Sequence, residues 1–254
     1  MAHREFVGEI AKLLRVPAEQ IERRVDRYNS DFSAYGNEVY EEIETRVAHW
    51  VNFMEGGWFQ RRLDMPIRIA PHFDVVVDIG FSSPYYYMQP GLAACKRPKF
   101  VFVDKHDSAV TFYDALVEFY QLGETRKRDI VVKADIELPS DTAKVAKAVC
   151  GLHPTSLLVV ASEVLEHLTH DEPFWTMVEN FKMAEGEASK RVYVTLPIGR
   201  KIPSHMMEFR TPEAAKKYAA ERMNIIEEAV FAPLSEELSS PFLEACYCAL
   251  GSPR

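Results

Sequence analysis

The sequence predicts an α/β protein: a mostly parallel seven-stranded sheet with helices on both faces, behind an all-helical N-terminal segment. Two observations carry this. From about His72 onward, short apolar runs alternate with helical stretches. Near the C-terminus two further runs follow one another with only a loop between them, the pattern of an antiparallel edge hairpin.

The elements follow in order. Phe6, Ile10, Leu13 and Leu14 share one helical face, and Ile21, Val25 and Tyr28 continue it after the Val16-Pro17 break. Val39, Ile43, Val47, Trp50, Val51 and Met54 mark a longer helix that Gly56-Gly57 ends. This region is rich in aromatics, including Phe32, Tyr35, Trp58 and Phe59, which are expected to pack its helices onto the rest, with a minority lining a substrate pocket. The first strand is Phe73–Val77, running into Asp78-Ile79-Gly80. Phe100–Val103 is the second strand, ending at Asp104, and a helix from Val110 to Leu122 stops at Gly123. Ile130–Lys133 is the third, and Ser140 is placed to cap a helix reaching about Val149. Leu157–Ala161 is the fourth. Thr169 with Glu172 reads as a capping box, with Pro173 early in the helix that follows. Arg191–Thr195 is the fifth strand and Pro212–Met223 a helix, and Ile225–Phe231 with Phe242–Leu250 form the closing pair.

The chain has 254 residues, room for one large α/β domain with a helical attachment; the expected division is 1–71 as a helical cap and 72–254 as the main domain. A net charge of −8 gives no global attraction for phosphate backbones or anionic lipid, so nucleic acid is not the expected partner. No stretch is long and apolar enough to span a bilayer, and no apolar leader core follows Met1. Cys95, Cys150, Cys246 and Cys248 read as buried thiols, which fits a reducing, cytoplasmic setting. Nothing in the sequence sets an oligomeric state; a homodimer is one admissible form.

Ligands of open α/β sheets bind at the carboxyl ends of the strands. There the sequence carries Asp78-Ile79-Gly80-Phe81-Ser82-Ser83, an acid followed by a tight turn, then Asp104-Lys105 and Ala134-Asp135-Ile136. Three acids at three successive strand ends resemble the motifs of the class I S-adenosylmethionine-dependent methyltransferases, which share a Rossmann-like sheet. The resemblance covers roughly Phe73 to Leu250. It implies that Gly80, Ser82 and Ser83 face the methionine part of the cofactor, that Asp104 accepts from both ribose hydroxyls, and that Asp135 and Ile136 bind adenine; Asp78, Lys105 and Ser162 complete the cofactor set. The sequence departs from the family at Ser82 and Pro84, where further glycines are usual. A dehydrogenase would instead need a full Gly-x-Gly-x-x-Gly turn, which is absent.

After the fourth strand comes Ser162-Glu163-Val164-Leu165-Glu166-His167. If helical, this run places Glu163, Glu166 and His167 on one face. It resembles the Glu-x-x-Glu-His element of the ubiquinone-pathway O-methyltransferases and the small-RNA 2′-O-methyltransferases, where those groups hold a divalent metal. In the RNA-modifying family a His-x-x-Glu-aromatic stretch adds a histidine, and His205 in His205-Met206-Met207-Glu208-Phe209 matches it. The resemblance implies a metal on Glu163, Glu166, His167 and His205; imidazoles suit manganese, iron, cobalt or zinc better than magnesium.

The expected function is methyl transfer to a small molecule, metal-assisted at a hydroxyl, with Glu166, His167 and His205 in the reaction. One alternative is metal-independent N-methylation of a small amine or amino acid. Another is a non-catalytic module that binds the adenosyl group or a partner protein.

Overall fold

The structure, a computed structural model, describes residues 3–31, 37–55, 58–88, 98–185, 189–199, 202–232 and 243–254. The expected Gly56-Gly57 helix stop, Phe32, Tyr35, Cys95 and the loop before Phe242 lie outside them, as do the side chains of Tyr28, Trp58 and Phe59.

Four helices come first: α1 (His3–Leu14), α2 (Ala18–Asp31), α3 (Ile43–Glu55) and α4 (Trp58–Ile69). Strand β1 (Val75–Ile79) leads to β2 (Lys99–Asp104), α5 (Asp107–Phe119), α6 (Gly123–Arg128) and β3 (Ile130–Lys133). Then come α7 (Pro139–Cys150), β4 (Ser156–Ser162), α8 (Glu172–Asn180), β5 (Ser189–Gly199) and α9 (Pro212–Arg222). The antiparallel pair β6 (Met223–Phe231) and β7 (Leu243–Pro253) ends the chain. The sheet order is β3-β2-β1-β4-β5-β7-β6, with β1 to β5 parallel and β7 antiparallel to both its neighbours. This is the Rossmann-like, mostly parallel seven-stranded arrangement that the sequence predicts. The order reverses between β1 and β4, so the ligand crevice belongs at the carboxyl ends of β1, β2 and β4.

Alternation along the strands separates two cores. Val76, Phe100, Phe102, Leu158, Val160 and Tyr193 face one side and pack with α1 to α5. Val75, Val77, Val101, Val103, Val159 and Val192 face the other and pack with α7, α8 and α9. The N-terminal helices thus supply most of one layer of the sandwich. Helix α3 is buried all round from Glu44 to Val51, so it lies inside the protein.

Local expectations fail where a tertiary partner outbids a local one. Strand β1 begins at Val75, two residues later than its apolar run. Gly123 opens the short helix α6, which takes in Lys127 and Arg128. Ser140 is not a cap: α7 starts at Pro139 and its N-cap is Leu138. No capping box forms at α8. The amides of Thr169 and His170 are instead taken by the Glu137 carboxylate at 2.7 and 3.2 Å. Asp171 occupies the N-cap position but turns its carboxylate to Trp175 Nε1 (3.0 Å), Tyr218 and Arg222 Nε (2.7 Å), tying α8 to α9. Cys246 and Cys248 are buried as expected, whereas Cys150 is half-buried. Tyr85, Tyr86 and Tyr87 are core residues, with Tyr85 stacked on Trp50 and Tyr86 and Tyr87 against Phe100.

Asp129, just before β3, accepts from the phenols of Tyr87 and Tyr113. Burial pushes its carboxyl up to about 8. The unfolded carboxyl titrates near 4, so the native state holds a proton that the unfolded chain releases between those values. The resulting stability is complete below about pH 4 and is lost as pH rises toward 8. Melting temperatures from pH 4 to 9 are expected to fall less steeply in Asp129→Asn than in the parent; parallel profiles would remove Asp129 from the pH dependence.

Candidate functional site

The turn after β1 is built for close approach. Gly80 has φ +63°, and a Cβ there would sit 2.6 Å from Val164 Cγ2. Its amide donates to Val103 O at 2.7 Å, which holds the turn against β2. Ser82 also has positive φ, at 47°. That is the left-handed conformation glycine adopts without strain, and it costs a serine roughly 1 kcal/mol or more. Ser82 thus keeps, without being glycine, the backbone conformation that a glycine would adopt freely. Its hydroxyl lies 3.0 Å from His49 Nδ1 on α3. Ser83 is fully buried.

Asp78 and Asp104 sit on adjacent strands, each 6% exposed. Burial, and then the charge of Asp104, holds the Asp78 carboxyl well above its ordinary range. Asp104 has a cationic partner that the sequence reading missed: Arg46 of α3, 2% exposed, whose two terminal nitrogens each lie 3.3 Å from a different carboxylate oxygen. Arg46 Nε reaches Ser108 Oγ at 3.2 Å, and the His106 amide donates to Asp104 Oδ1 at 2.9 Å. A signal for Arg46 existed. It stands four and seven residues before Trp50 and Phe53, on the face of α3 that an apolar stripe marks as buried.

Beyond Asp104 a cleft of about 410 Å³ opens, lined by Glu41, Lys105, His106, Lys133, Ala134, Asp135 and Asp141. Two of the expected cofactor residues, Lys105 and Asp135, line it, and Ile136 is buried behind them. Asp135 Oδ1 accepts from the Glu137 amide (3.0 Å), and its own amide donates to Asp141 Oδ2 (3.0 Å), so this loop is pinned at both ends. The Ser162 hydroxyl is engaged with Thr195 Oγ1 at 3.0 Å.

The run after β4 is not a helix over its length, which corrects the expectation of one shared face. Only Leu165–His167 forms a 3-10 turn, and Glu163 before it has φ +55°. Glu163 turns toward β5, β7 and α4: its carboxylate accepts from Thr195 Oγ1 (2.9 Å), meets Cys246 Sγ (3.3 Å) and pairs with Arg62 Nη1 (3.5 Å). Glu166, His167 and His205 do converge, with one ligand atom from each within 4.8 Å of the others. The loop carrying His205 is held there by the backbone, because the amides of Met206 and Met207 both donate to Glu166 O, at 2.6 and 3.1 Å. Among the described residues this is the one group of three or more His, Cys, Asp and Glu with metal-holding geometry, and Glu163 is outside it.

The chemistry of this trio is unusual for a protein interior. Glu166 is 0% exposed, and neither carboxylate oxygen has a hydrogen-bond partner. Burial, and then the charge of Glu163, raises its carboxyl well above the ordinary range. The His167 imidazole lies beside it, with Nε2 at 3.6 Å. His167 Nδ1 lies 2.7 Å from Ser204 O, a contact only an N–H can satisfy; the proton is thereby placed on Nδ1 and the lone pair on Nε2, facing Glu166. Metal-binding histidines are oriented in this way. The ring of Tyr40 stands edge-on to His167 at 5.6 Å and tilted to His49 at 5.7 Å, which joins the helical segment to both halves of the site.

No protein-family model matches the sequence, and no curated protein matches it significantly. Solved structures do match. A proposed methyltransferase of Thermobifida fusca YX aligns over 98% of this chain and 94% of its own, with a TM-score of 0.50 at 13% identity. The small RNA methyltransferase HEN1 aligns over 77% of this chain with a TM-score of 0.50 at 12% identity. TehB from Haemophilus influenzae covers 77% at 13% identity and a TM-score of 0.45. The chain spans 62% of TehB and 25% of HEN1. The fold is that of the class I methyltransferases. No described helix is long and apolar enough to cross a membrane.

Proposed function

We propose that the chain is an S-adenosylmethionine-dependent methyltransferase that methylates a hydroxyl of a small molecule beside a divalent cation held by Glu166, His167 and His205. The observation that carries the metal is Glu166. A carboxylate buried with no side-chain hydrogen bond is costly, and a cation beside it would offset that cost. The residues fit such an ion: one hard oxygen donor and two imidazoles favour manganese, iron, cobalt or zinc. When bound, the ion supplies Lewis acidity to an acceptor hydroxyl, and the donor supplies an activated methyl group.

The chain's own residues do the rest. Gly80 and Ser82 open the backbone to the donor's amino-acid end, Asp104 offers two acceptor oxygens to a vicinal diol, and the cleft at Lys105 and Asp135 receives the base. Ser204 fixes the His167 tautomer so that its lone pair stays aimed at the centre. Tyr40, on the N-terminal segment proposed as the cap, packs edge-on against His167 of that centre. Positioning of this kind is the main source of rate in an in-line displacement. HEN1 by name acts on small RNA; a charge of −8 weighs against carrying that over.

Calorimetry with S-adenosylhomocysteine tests the donor half. Micromolar binding is expected in the parent, with a loss of at least roughly tenfold in Asp104→Asn, which removes one charged acceptor. Absence of binding by the parent would overturn the donor assignment. Metal analysis of the purified protein, with turnover followed after chelation and re-addition of each ion, tests the other half.

A further inference from the structure

We propose that Arg46 is a latch on the donor site: helix α3 holds Asp104 closed, and the donor's ribose must displace the Arg46 guanidinium to bind. The inference rests on reading Asp104 as the ribose acid.

Two features of the structure require it. The Arg46 fork presents two N–H donors, one to each oxygen of Asp104, at 3.3 Å each. A vicinal diol presents two O–H donors to the same pair of oxygens, so the guanidinium satisfies Asp104 in the way the sugar would. The contact is also closed. The side chains of Asp104 and Arg46 are 5% and 3% exposed, and Oδ1 already takes the His106 amide, which leaves no open approach for a diol while Arg46 stays in place.

The latch reaches further than one ion pair. His49, one turn along α3, holds Ser82 in the donor loop, and Tyr40 lies against Arg46 (5.9 Å), His49 and His167. Release of Arg46 therefore loosens α3 beside the donor loop and frees the Tyr40 ring that packs against His167. A latch closed nine-tenths of the time raises the apparent donor Kd about tenfold.

The test measures S-adenosylhomocysteine binding and backbone hydrogen exchange in the full chain. Arg46→Gln is expected to bind about tenfold more tightly than the parent, with a faster association rate, and Arg46→Lys, which keeps the charge and loses the fork, to fall between them. In the parent, saturating ligand is expected to increase exchange in residues 43–55; in Arg46→Gln that exchange is already high and no longer responds. Weaker binding by folded Arg46→Gln and Arg46→Lys, or protection of residues 43–55 by ligand in the parent, would make Arg46 a donor contact and overturn the latch. Should Arg46→Gln melt far below the parent, Arg46→Lys and the exchange response of the parent decide the matter alone. Failure of the underlying reading looks different: with the latch already open in Arg46→Gln, adding Asp104→Asn then leaves donor binding unchanged, whereas a true ribose acid loses it.

Discussion

Replacing Glu166 by methionine is expected to make the metal-free protein more stable and the enzyme nearly inactive. The side chain is fully buried, its oxygens have no hydrogen bond, and burial already drives its carboxyl toward the neutral form. Methionine has a similar volume and no polar oxygen to desolvate. Relief of a buried, unsatisfied polar group is worth about 1–3 kcal/mol. For a chain of this length that is a rise of a few degrees in melting temperature per kcal/mol. Turnover, in contrast, should fall by at least about a hundredfold, and stoichiometric metal should be lost, because one of three ligands has gone. Donor affinity should stay near that of the parent. Thermal melts in chelator, metal content and initial rates on the same two proteins check all three. A Glu166→Met protein that melts lower than the parent and still retains metal would show that the carboxylate is a structural partner and not a ligand.

Gly80→Ala is expected to lower stability by about 2–5 kcal/mol and to weaken donor binding together with it. The left-handed backbone at Gly80 costs a non-glycine residue about 1–2 kcal/mol. The added methyl group would also stand 2.6 Å from Val164 Cγ2, and overpacking of this sort costs about 1–3 kcal/mol. Val164 follows Glu163 and precedes the turn that carries Glu166 and His167. The clash is thus passed from the donor loop to the trio, and kcat is expected to fall as well. Gly251→Ala is the control. Its Cβ would meet Asn224 O at 2.6 Å between β7 and β6, away from the crevice, so it should cost stability while leaving donor affinity per folded molecule unchanged. Chemical denaturation and calorimetry on the two variants separate the outcomes; equal effects on donor affinity would show that Gly80 acts through global stability alone.

How far the sequence carried the fold can be seen element by element. The strands Val75–Ile79, Lys99–Asp104 and Ser156–Ser162 are each built on a continuous apolar run, because both faces of a central parallel strand are covered, and such a run is visible in the residues themselves. The order of strands and helices follows from the same runs. Helix starts were less legible. Ser140 and Thr169 both carry capping side chains, yet neither caps. Glu137 takes the amides that Thr169 was expected to organise, a choice made by a residue 32 positions away.

The candidate site divides along the same line. The sequence by itself determined that three acids stand at three consecutive strand ends, and that Gly80 makes the turn that follows the first of them. Those are consequences of strand periodicity and of one residue's backbone freedom, and both are local. Only the tertiary structure decided that Glu163 turns away to Arg62 and Thr195 and that Arg46 covers Asp104, while it brings His205, already matched to a motif in the sequence, up to Glu166 and His167. The physical reason is burial. A charge removed from water must find a partner wherever the packed chain presents one, and which residue is presented is settled by the docking of α3 and α4 and the path of the loop after β5, to which no local pattern refers.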